Sequence, residues 1–302
     1  MIAASTAASL ALASATAAEQ KKGGWIDAHS HIWPGEVDKY PLAAGQTKAD
    51  LKPASFTDDE LMKVASPEGV ERVVLIQHSG YHLFDNSYLI DAVKRHPKRF
   101  RIVGMVDDHK PHASEAMKGL LKQGVTGFRI TPFIRKDHPE KWLDSAGMQE
   151  MWKTGAETRQ AMCCLISASD IAGVDKMCGK HPDTPVVIDH FARIGYDGEL
   201  RDGEIKALCD LSRHKHVSVK ISAYYALGKK KPPHEELIPM IKRLLEAYGP
   251  QRLMWASDCP YQLEPPNTYA SSISLVRDRL DFVSDDDRQW LLRKTAEKVF
   301  FW

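Results

Sequence analysis

The sequence predicts an α/β protein folded as a single (β/α)8 TIM barrel, with one further helix at its C-terminus. Eight short apolar, β-branched runs recur along the 302 residues, and segments with helical periodicity separate them. Successive runs begin about 23 to 47 residues apart, which leaves room for a strand and a crossover helix each time. Eight such units match a closed barrel better than an open, doubly wound sheet, which is the main alternative.

Each run is almost continuously hydrophobic, as expected of parallel strands that are buried on both faces. In chain order the runs are Trp25–Trp33, Arg72–Ser79, Arg101–Asp107, Val125–Thr131, Met162–Ser167, Pro185–Ala192, Val217–Ala223 and Arg252–Asp258. No glycine-rich phosphate loop follows the first run, which argues further against a doubly wound, dinucleotide-binding sheet. Because the active site of a barrel lies at the carboxyl ends of its strands, polar residues there indicate the function.

The segments between the strands combine helical periodicity with residues that end helices. Ser114–Gln123 and Glu235–Tyr248 place apolar residues three and four positions apart. Gly124 follows the first segment and Gly249 follows the second, and glycine is common where a helix ends. Asp285–Phe301 is predicted to form a final amphipathic helix after the eighth unit.

The N-terminal residues 1–22 are set apart from the predicted barrel domain, which we place at residues 23–302. They are rich in Ala, Ser, Thr and Leu, and Ala15-Thr16-Ala17 suits the end of a signal peptide, although no Lys or Arg precedes the apolar stretch. We therefore expect a signal peptide and an exported protein, either periplasmic or extracellular. The alternative is an Ala-rich disordered leader on a cytoplasmic protein.

Composition and charge exclude several classes of protein. The chain has 41 Lys and Arg against 40 Asp and Glu and no basic block, so it lacks the basic face of a nucleic-acid-binding protein. Outside the N-terminal segment, no apolar run reaches the roughly 18 to 20 residues that span a membrane. Five cysteines without a CxxC pair do not define a redox compartment. An enzyme or a binding protein for a small molecule remains.

A pair of histidines ends the first predicted strand, in the order Asp27-Ala28-His29-Ser30-His31. Alternate side chains of an extended strand share a face, so Asp27, His29 and His31 are predicted to point the same way. Two imidazoles on one face can chelate a cation or together polarise a carbonyl group. A lone His-x-His is a weak motif, but its place at the end of the first barrel strand favours a functional role.

Two further strand ends carry a histidine and a carboxylate. His190 ends the sixth run, and by itself it is adequately explained by burial with a backbone hydrogen bond. Asp258 ends the eighth run, where a buried carboxylate is costly unless it meets a cation, a proton or a donor. Together, the three histidines and Asp258 suit one divalent metal ion, zinc or manganese, or a metal-free site in which Asp258 activates water.

Basic and aromatic side chains near the strand ends are candidates for binding substrate. Arg129 lies at the end of the fourth run and Arg135 follows six residues later. Arginine can hold a carboxylate through two parallel hydrogen bonds, although a surface position suits Arg135 equally well. Lys220 in the seventh run could bind an anion inside the barrel or form a salt bridge with a buried acid. Trp33 could contact a ligand.

The order of these motifs resembles the amidohydrolase superfamily. Within it, the chain is most similar to the amidohydrolase-2 branch of sugar-lactone and dicarboxylate-lactone hydrolases. The segments that carry the resemblance are HSHIWP, GVTGFRI, VVIDHFAR, VSVKIS and RLMWASDCPY, and they spread over residues 25–302. The resemblance implies a hydrolase that opens a lactone, with a sugar-acid lactone as the expected substrate.

The resemblance also implies a role for each matched residue. Asp258 corresponds to the general base that takes a proton from water, and the three histidines correspond to groups that polarise the lactone carbonyl, directly or through a metal. Arg129 and Arg135 match positions that hold carboxylate or hydroxyl groups. Two departures matter. Met162–Ser167 lacks the Lys or His of a binuclear metal centre, and no arginine follows Lys220, which puts a doubly carboxylated substrate in doubt.

Other functions remain open at this point. The main alternative is a metal-dependent decarboxylase of an unsaturated or aromatic carboxylic acid, which would use a similar site but would release carbon dioxide without consuming water. The missing strand-five histidine argues mildly against it. Amide hydrolysis and a non-catalytic barrel that serves in binding or assembly are further possibilities.

Overall fold

The computed structural model describes residues 24–134 and 141–302; the expected leader at residues 1–22 and Arg135 lie outside this part of the chain. Eight parallel strands form one sheet in which each strand pairs with the next along the chain. Their bounds are β1 Trp25–Ser30, β2 Val70–Ile76, β3 Phe100–Gly104, β4 Val125–Ile130, β5 Ala161–Cys164, β6 Val186–Ile188, β7 Val217–Ser222 and β8 Leu253–Ala256. The predicted barrel is confirmed.

An α-helix follows every strand of the barrel. These helices are α1 Asp58–Ala65, α2 Ser87–Arg95, α3 Ala113–Leu121, α4 Ala146–Thr158, α5 Ile171–Lys180, α6 Asp202–Asp210, α7 Ile238–Tyr248 and α8 Tyr269–Asp278. The chain then continues through α9 (Asp285–Gln289), a π-helical turn (Trp290–Lys294) and α10 (Thr295–Phe300), which together form the predicted C-terminal helix. In the described residues, every helix is too short or too polar to cross a membrane.

Local sequence signals account for where several helices begin and end. Thr57 and Glu60 form a reciprocal capping box at the start of α1, because each side chain accepts the backbone N–H of the other residue. Helices α3 and α7 correspond to the two segments with predicted helical periodicity. Gly124 follows α3 with φ of +91°, a left-handed conformation that glycine adopts without a steric penalty.

The strands end earlier than the apolar runs that predicted them. β1 ends at Ser30 and β8 ends at Ala256, whereas the runs continue to Trp33 and Asp258. After both of these strands, the remaining residues of the run leave the sheet at its carboxyl end while they are still buried. This places the polar residues of the run ends at the mouth of the barrel, where barrel enzymes bind their substrates.

The barrel closes between β1 and β8 through few backbone contacts. In place of a continuous ladder there is an isolated parallel bridge between Ser30, the last residue of β1, and Cys259, which lies just beyond β8. The N–H of Asp258 donates to the carbonyl of His29 at 2.9 Å, and the N–H of His31 donates to the carbonyl of Cys259 at 2.7 Å. The closure thus lies among the predicted site residues, so their geometry depends on how β1 and β8 meet.

A separate apolar cluster fills the interior of the barrel. It contains Ile26, Ala28, Val74, Ile76, Val103, Ala161, Cys163, Val187, Met254, Ala256, Ala296 and Phe300. Phe300 of α10 is fully buried, and its ring centroid lies 5.5 Å from Lys220 Nζ. The next residue, Phe301, contacts Arg72 and Arg101 near the amino ends of β2 and β3. Helix α10 therefore closes the interior at the end opposite the predicted site.

Candidate active site

The structure brings four predicted site residues together at the carboxyl ends of β1, β6 and β8: His29, His31, His190 and Asp258. All four are at most 5% exposed. His29 Nε2 lies 3.3 Å from His31 Nε2. Asp258 Oδ1 lies 3.3 Å from His31 Nε2 and 3.5 Å from His29 Nε2. His190 Nε2 lies 3.8 Å from Asp258 Oδ2, so the three rings surround one carboxylate.

Hydrogen bonds behind the rings fix the orientation of two histidines. His31 Nδ1 lies 2.9 Å from the carbonyl of Ile76, and because a carbonyl only accepts, this nitrogen carries a proton. His190 Nδ1 lies 2.8 Å from the hydroxyl of Ser222, which is itself oriented toward the carbonyl of Lys220 at 3.5 Å. In their neutral forms both rings therefore present the lone pair of Nε2 toward Asp258.

His29 lies between a guanidinium group on one side and a buried ion pair on the other. Arg129 Nη2 is 2.8 Å from His29 Nε2, so this nitrogen accepts and the proton is on Nδ1. Nδ1 lies 3.6 Å from Asp189 Oδ1 and 3.2 Å from Lys220 Nζ. Burial, followed by the charge of Lys220, holds the pKa of His29 well below its ordinary value. The ring is therefore neutral at neutral pH.

Asp189 is a buried residue of this cluster to which the sequence analysis gave no role, although it lies in the segment VVIDHFAR. Its carboxylate is 0% exposed and lies 3.0 Å from Nζ of Lys220, which is also 0% exposed. For Lys220 the sequence left two alternatives open, an anion-binding site and a salt bridge to a buried acid. The structure shows the salt bridge. Lys220 lies behind His29 and does not line the pocket. The pair compensates two charges that would be very costly to bury singly.

Two other predicted residues lie behind the pocket. Trp33 is fully buried, and its indole N–H donates to the carbonyl of Pro53 at 2.9 Å while its ring packs near Tyr261. Asp27 was predicted to share a face with His29, and this was wrong. The register of β1 shifts between Asp27 and Ser30, so strict alternation is broken and the Asp27 side chain instead contacts Tyr269 of α8.

Asp258 is an ionised carboxylate held in an unusual backbone conformation. Its φ is +63°, in the left-handed region, and the hydroxyl of Tyr225 donates to Oδ2 at 2.7 Å. Burial would raise the pKa of this carboxyl, but the surrounding imidazoles, His190 foremost, outweigh burial and hold it well below its usual value. Burial likewise lowers the pKa of His31 and of His190. Asp258 is thus a deprotonated carboxylate at the centre of the imidazole cluster.

The donor atoms fit a divalent cation. The three separations among His29 Nε2, His31 Nε2 and Asp258 Oδ1 are 3.3, 3.3 and 3.5 Å. A tetrahedral zinc ion with bonds of about 2.0 to 2.1 Å has ligand-to-ligand edges of about 3.3 to 3.4 Å. The lone pairs of His31 Nε2 and Asp258 Oδ1, which face each other at 3.3 Å, also favour a common cation. Arg129 opposes the metal, because its guanidinium already occupies the lone pair of His29 Nε2.

A pocket of about 290 Å³ opens from this cluster toward solvent. Its lining includes His31, Arg129, His190 and Asp258, and several aromatic side chains complete the wall. These are Phe133, Tyr196, Tyr225 and Tyr261. The clustered histidines and Asp258 therefore lie at the base of the pocket, and a small molecule can reach them from its mouth.

Arg193 is a pocket residue that the sequence analysis did not single out. Its guanidinium carbon lies 4.8 Å from the ring centroid of Phe133 and 4.2 Å from that of Tyr196. These rings are 48% and 54% exposed, so the three side chains form the outer wall of the pocket. Residues 190–193 all have positive φ, and this left-handed turn brings His190 and Arg193 to the same pocket. Neither strand nor helix periodicity reveals such a turn.

Removing the Arg129 guanidinium is expected to strengthen zinc binding, because it frees the lone pair of His29 Nε2 and removes a nearby positive charge. We expect Arg129→Met to bind zinc at least about tenfold more tightly than the wild type. Titration of metal-free protein against a chromophoric chelator measures the affinity. Arg193→Met is the matched control, since it removes a cation that stacks on aromatic rings in the same pocket. Equal zinc affinities for Arg129→Met and wild type would contradict the competition.

Comparison with known proteins agrees with this architecture. A family model described as amidohydrolase matches residues 26–302. A 4-sulfomuconolactone hydrolase from Rhizobium radiobacter is 27% identical over 241 residues, which cover 80% of this chain and 76% of the relative. An L-fucono-1,5-lactonase from Burkholderia ambifaria is 25% identical over 242 residues, which cover 78% and 80%.

Among solved structures, an amidohydrolase from Burkholderia multivorans with bound zinc has the same fold. Its TM-score is 0.76 at 20% sequence identity, over 92% of this chain and 99% of that one. The family match extends over nearly all of the barrel, from β1 to the last residue of the chain. The chain therefore belongs to the amidohydrolase family.

Proposed function

We propose that this protein is a lactone hydrolase in which Asp258 activates the attacking water. One observation carries the proposal: a deprotonated carboxylate lies at the base of a pocket, among three imidazoles and beside a guanidinium group. A base and preorganised hydrogen-bond donors around one reacting carbon are what ester hydrolysis requires. The similarity to a 4-sulfomuconolactone hydrolase and an L-fucono-1,5-lactonase supports a cyclic ester as the substrate.

The chain's own residues account for each proton in this reaction. Asp258 takes one proton from water as the water oxygen bonds to the lactone carbonyl carbon. The negative charge that develops on the carbonyl oxygen is stabilised by the Arg129 guanidinium at the base of the pocket. When the ring C–O bond breaks, Asp258 returns its proton to the departing alkoxide. The products are one carboxylic acid and one hydroxyl group on the same molecule, and Asp258 is again deprotonated.

A divalent ion, zinc or manganese, is the cofactor that the donor set supports, with His29, His31 and Asp258 as its ligands. Bound there, the ion would polarise the carbonyl group or lower the pKa of a water molecule. With or without the ion, Ile76 fixes the ring of His31 and Ser222 fixes the ring of His190. This keeps both Nε2 atoms directed at the reacting centre.

The charges in the pocket indicate the class of lactone. Arg129 contributes positive charge at the base and Arg193 contributes it at the mouth. The missing arginine after Lys220 had put a doubly carboxylated substrate in doubt, but Arg193 supplies a second cation from a different loop. We therefore include in the proposal a lactone that carries an anionic group, with a neutral sugar lactone as the competing substrate.

The contact between Arg129 and His29 also bears on the decarboxylase alternative. Decarboxylation in a site of this kind needs a metal ion to polarise a phenol or enol, and Arg129 competes for one ligand of that ion. Hydrolysis can proceed with the guanidinium in place, because Asp258 supplies the base and Arg129 supplies the positive charge. The observed geometry thus favours ring opening.

Replacing the proposed base tests the mechanism directly. Asp258→Asn keeps the size of the side chain but cannot take a proton, so kcat is expected to fall by about 10²- to 10⁴-fold. Acid release from a panel of sugar and dicarboxylate lactones, followed with a pH indicator, measures the rate. Asp197→Asn at an exposed ion pair with Arg201 is the control. Hydrolysis at the wild-type rate by Asp258→Asn would falsify the assignment.

The pH profile distinguishes the carboxylate base from a metal-bound water. The base form of Asp258 persists at every pH above its lowered pKa, which lies well below the usual range of an aspartate. We therefore expect kcat/KM to stay level as the pH falls from 8 to about 5. A metal-bound water with a pKa of about 7 would instead reduce kcat/KM below neutral pH. Initial rates in overlapping buffers give the profile.

Arg193 tests the expected anionic substrate. Arg193→Met is expected to raise KM about tenfold for a carboxylated lactone, because one charge-assisted hydrogen bond is lost at a partly exposed position. For a neutral sugar lactone KM should not change. The value of kcat should stay the same for both the carboxylated and the neutral lactone. Arg201→Met, which removes an exposed arginine outside the pocket, controls for net charge. If KM rises equally for charged and neutral lactones, Arg193 does not recognise the anion.

A further inference from the structure

The carboxylate of Asp27 accepts five hydrogen bonds at the seam between β1 and β8. Its Oδ1 accepts the backbone N–H groups of His29 at 3.0 Å and Ser257 at 2.9 Å. Its Oδ2 accepts three hydroxyl groups, from Ser30 at 2.7 Å, Ser257 at 2.5 Å and Tyr269 at 2.8 Å. Asp27 is 0% exposed and does not line the pocket. A buried carboxylate is tolerated only with such compensation.

The three hydroxyl donors come from three different parts of the barrel: β1, the chain just after β8, and α8. Ser30 is the last residue of β1, Ser257 directly follows β8, and Tyr269 begins α8. Between β1 and β8 the regular pairing is reduced to one isolated bridge. The side chain of Asp27 therefore supplies, at this seam, hydrogen bonds that the backbone ladder supplies between other strands.

The hydrogen bonds continue from Asp27 to both neighbours of Asp258. Ser257 is held through its N–H and its hydroxyl, and its oxygen accepts the N–H of Cys259 at 3.0 Å. Asp258 lies between these two residues with φ of +63°, and its own N–H bonds to the carbonyl of His29 at 2.9 Å. Asp adopts the left-handed region more readily than most residues, but this conformation is still less favourable than an extended or helical one, so the contacts of the neighbouring residues help to hold it.

We propose that Asp27 is a positioning residue for the reaction: by fixing Ser257, it imposes the left-handed conformation that directs the Asp258 carboxylate between His29 and His31. The kinetic part of this inference rests on the proposed lactone hydrolysis. Asp27 does not touch substrate in this scheme. A purely structural role, in which Asp27 only closes the barrel, predicts a loss of stability without a specific loss of turnover.

Two buried tyrosines form a matched pair that separates these roles. Tyr269 donates to Asp27, whereas Tyr248 of α7 donates to the backbone carbonyl of Leu208 at 2.6 Å, away from the site. Each is 3% exposed. Both Tyr269→Phe and Tyr248→Phe should lower Tm, because each loses one buried hydrogen bond, and Tyr269→Phe should lower it more, because its partner is a carboxylate. Only Tyr269→Phe should also lower kcat, with KM unchanged. Equal kcat values for the two variants would overturn the proposal.

Substitutions of Asp27 itself extend the test. Asp27→Ala removes all five bonds, and we expect kcat to fall about ten- to a hundredfold, since a misplaced reacting group costs this much. Asp27→Asn keeps an oxygen for the two backbone N–H groups, and its amide can donate to hydroxyl oxygens. Its kcat should therefore lie between those of the wild type and Asp27→Ala. An Asn variant as slow as the Ala variant would contradict the proposal.

A structural measurement decides the inference without an activity assay. In a crystal structure of Asp27→Ala, the φ of Asp258 should leave the left-handed region and Oδ1 should move beyond its 3.3 Å separation from His31 Nε2. If the wild type opens no lactone, the proposed function fails and this measurement still tests the positioning role. An unmoved Asp258 would refute it. If Asp27→Ala does not fold, the same comparison is made in Tyr269→Phe.

Discussion

Burial of charge at the barrel mouth is the constraint on which the rest of the site depends. Two carboxylates, Asp189 and Asp258, and two basic side chains, Arg129 and Lys220, surround His29, and each is at most 5% exposed. Their formal charges cancel, so the cluster is neutral without a proton on any imidazole. Neutral histidines keep their lone pairs available, and Asp258 keeps its capacity to accept a proton. The chemistry of the pocket thus follows from the way the interior balances its charges.

The fold could be predicted almost completely from the sequence, because parallel strands buried on both faces leave long apolar runs. All eight strands and the C-terminal helix lie where the runs and periodicities place them. The ends of the strands could not be predicted, since an apolar residue remains buried after the backbone has left the sheet. Ile32 is an example: it is 2% exposed and lies beyond β1.

The site was predictable where a polar residue interrupts an apolar run, as at His190 and Asp258. It was not predictable where the backbone departs from regular geometry. The shift of register in β1 turns Asp27 away from the pocket, and the left-handed turn after β6 brings Arg193 into it. Tyr225 was missed for a related reason, because it reaches Asp258 from a short turn after β7 whose direction has no signature in periodicity.

The left-handed conformation of Asp258 also explains why side chains, rather than a backbone ladder, join β1 and β8. A continuous backbone ladder would hold both strands in extended conformations, and Asp258 at φ +63° could not belong to it. Replacing the ladder by hydrogen bonds to Asp27 leaves the chain after β8 free to turn while the barrel stays closed. The carboxylate of Asp258 can then point into the pocket rather than across the sheet. In this barrel, closure of the fold and orientation of the Asp258 carboxylate are consequences of the same buried hydrogen bonds.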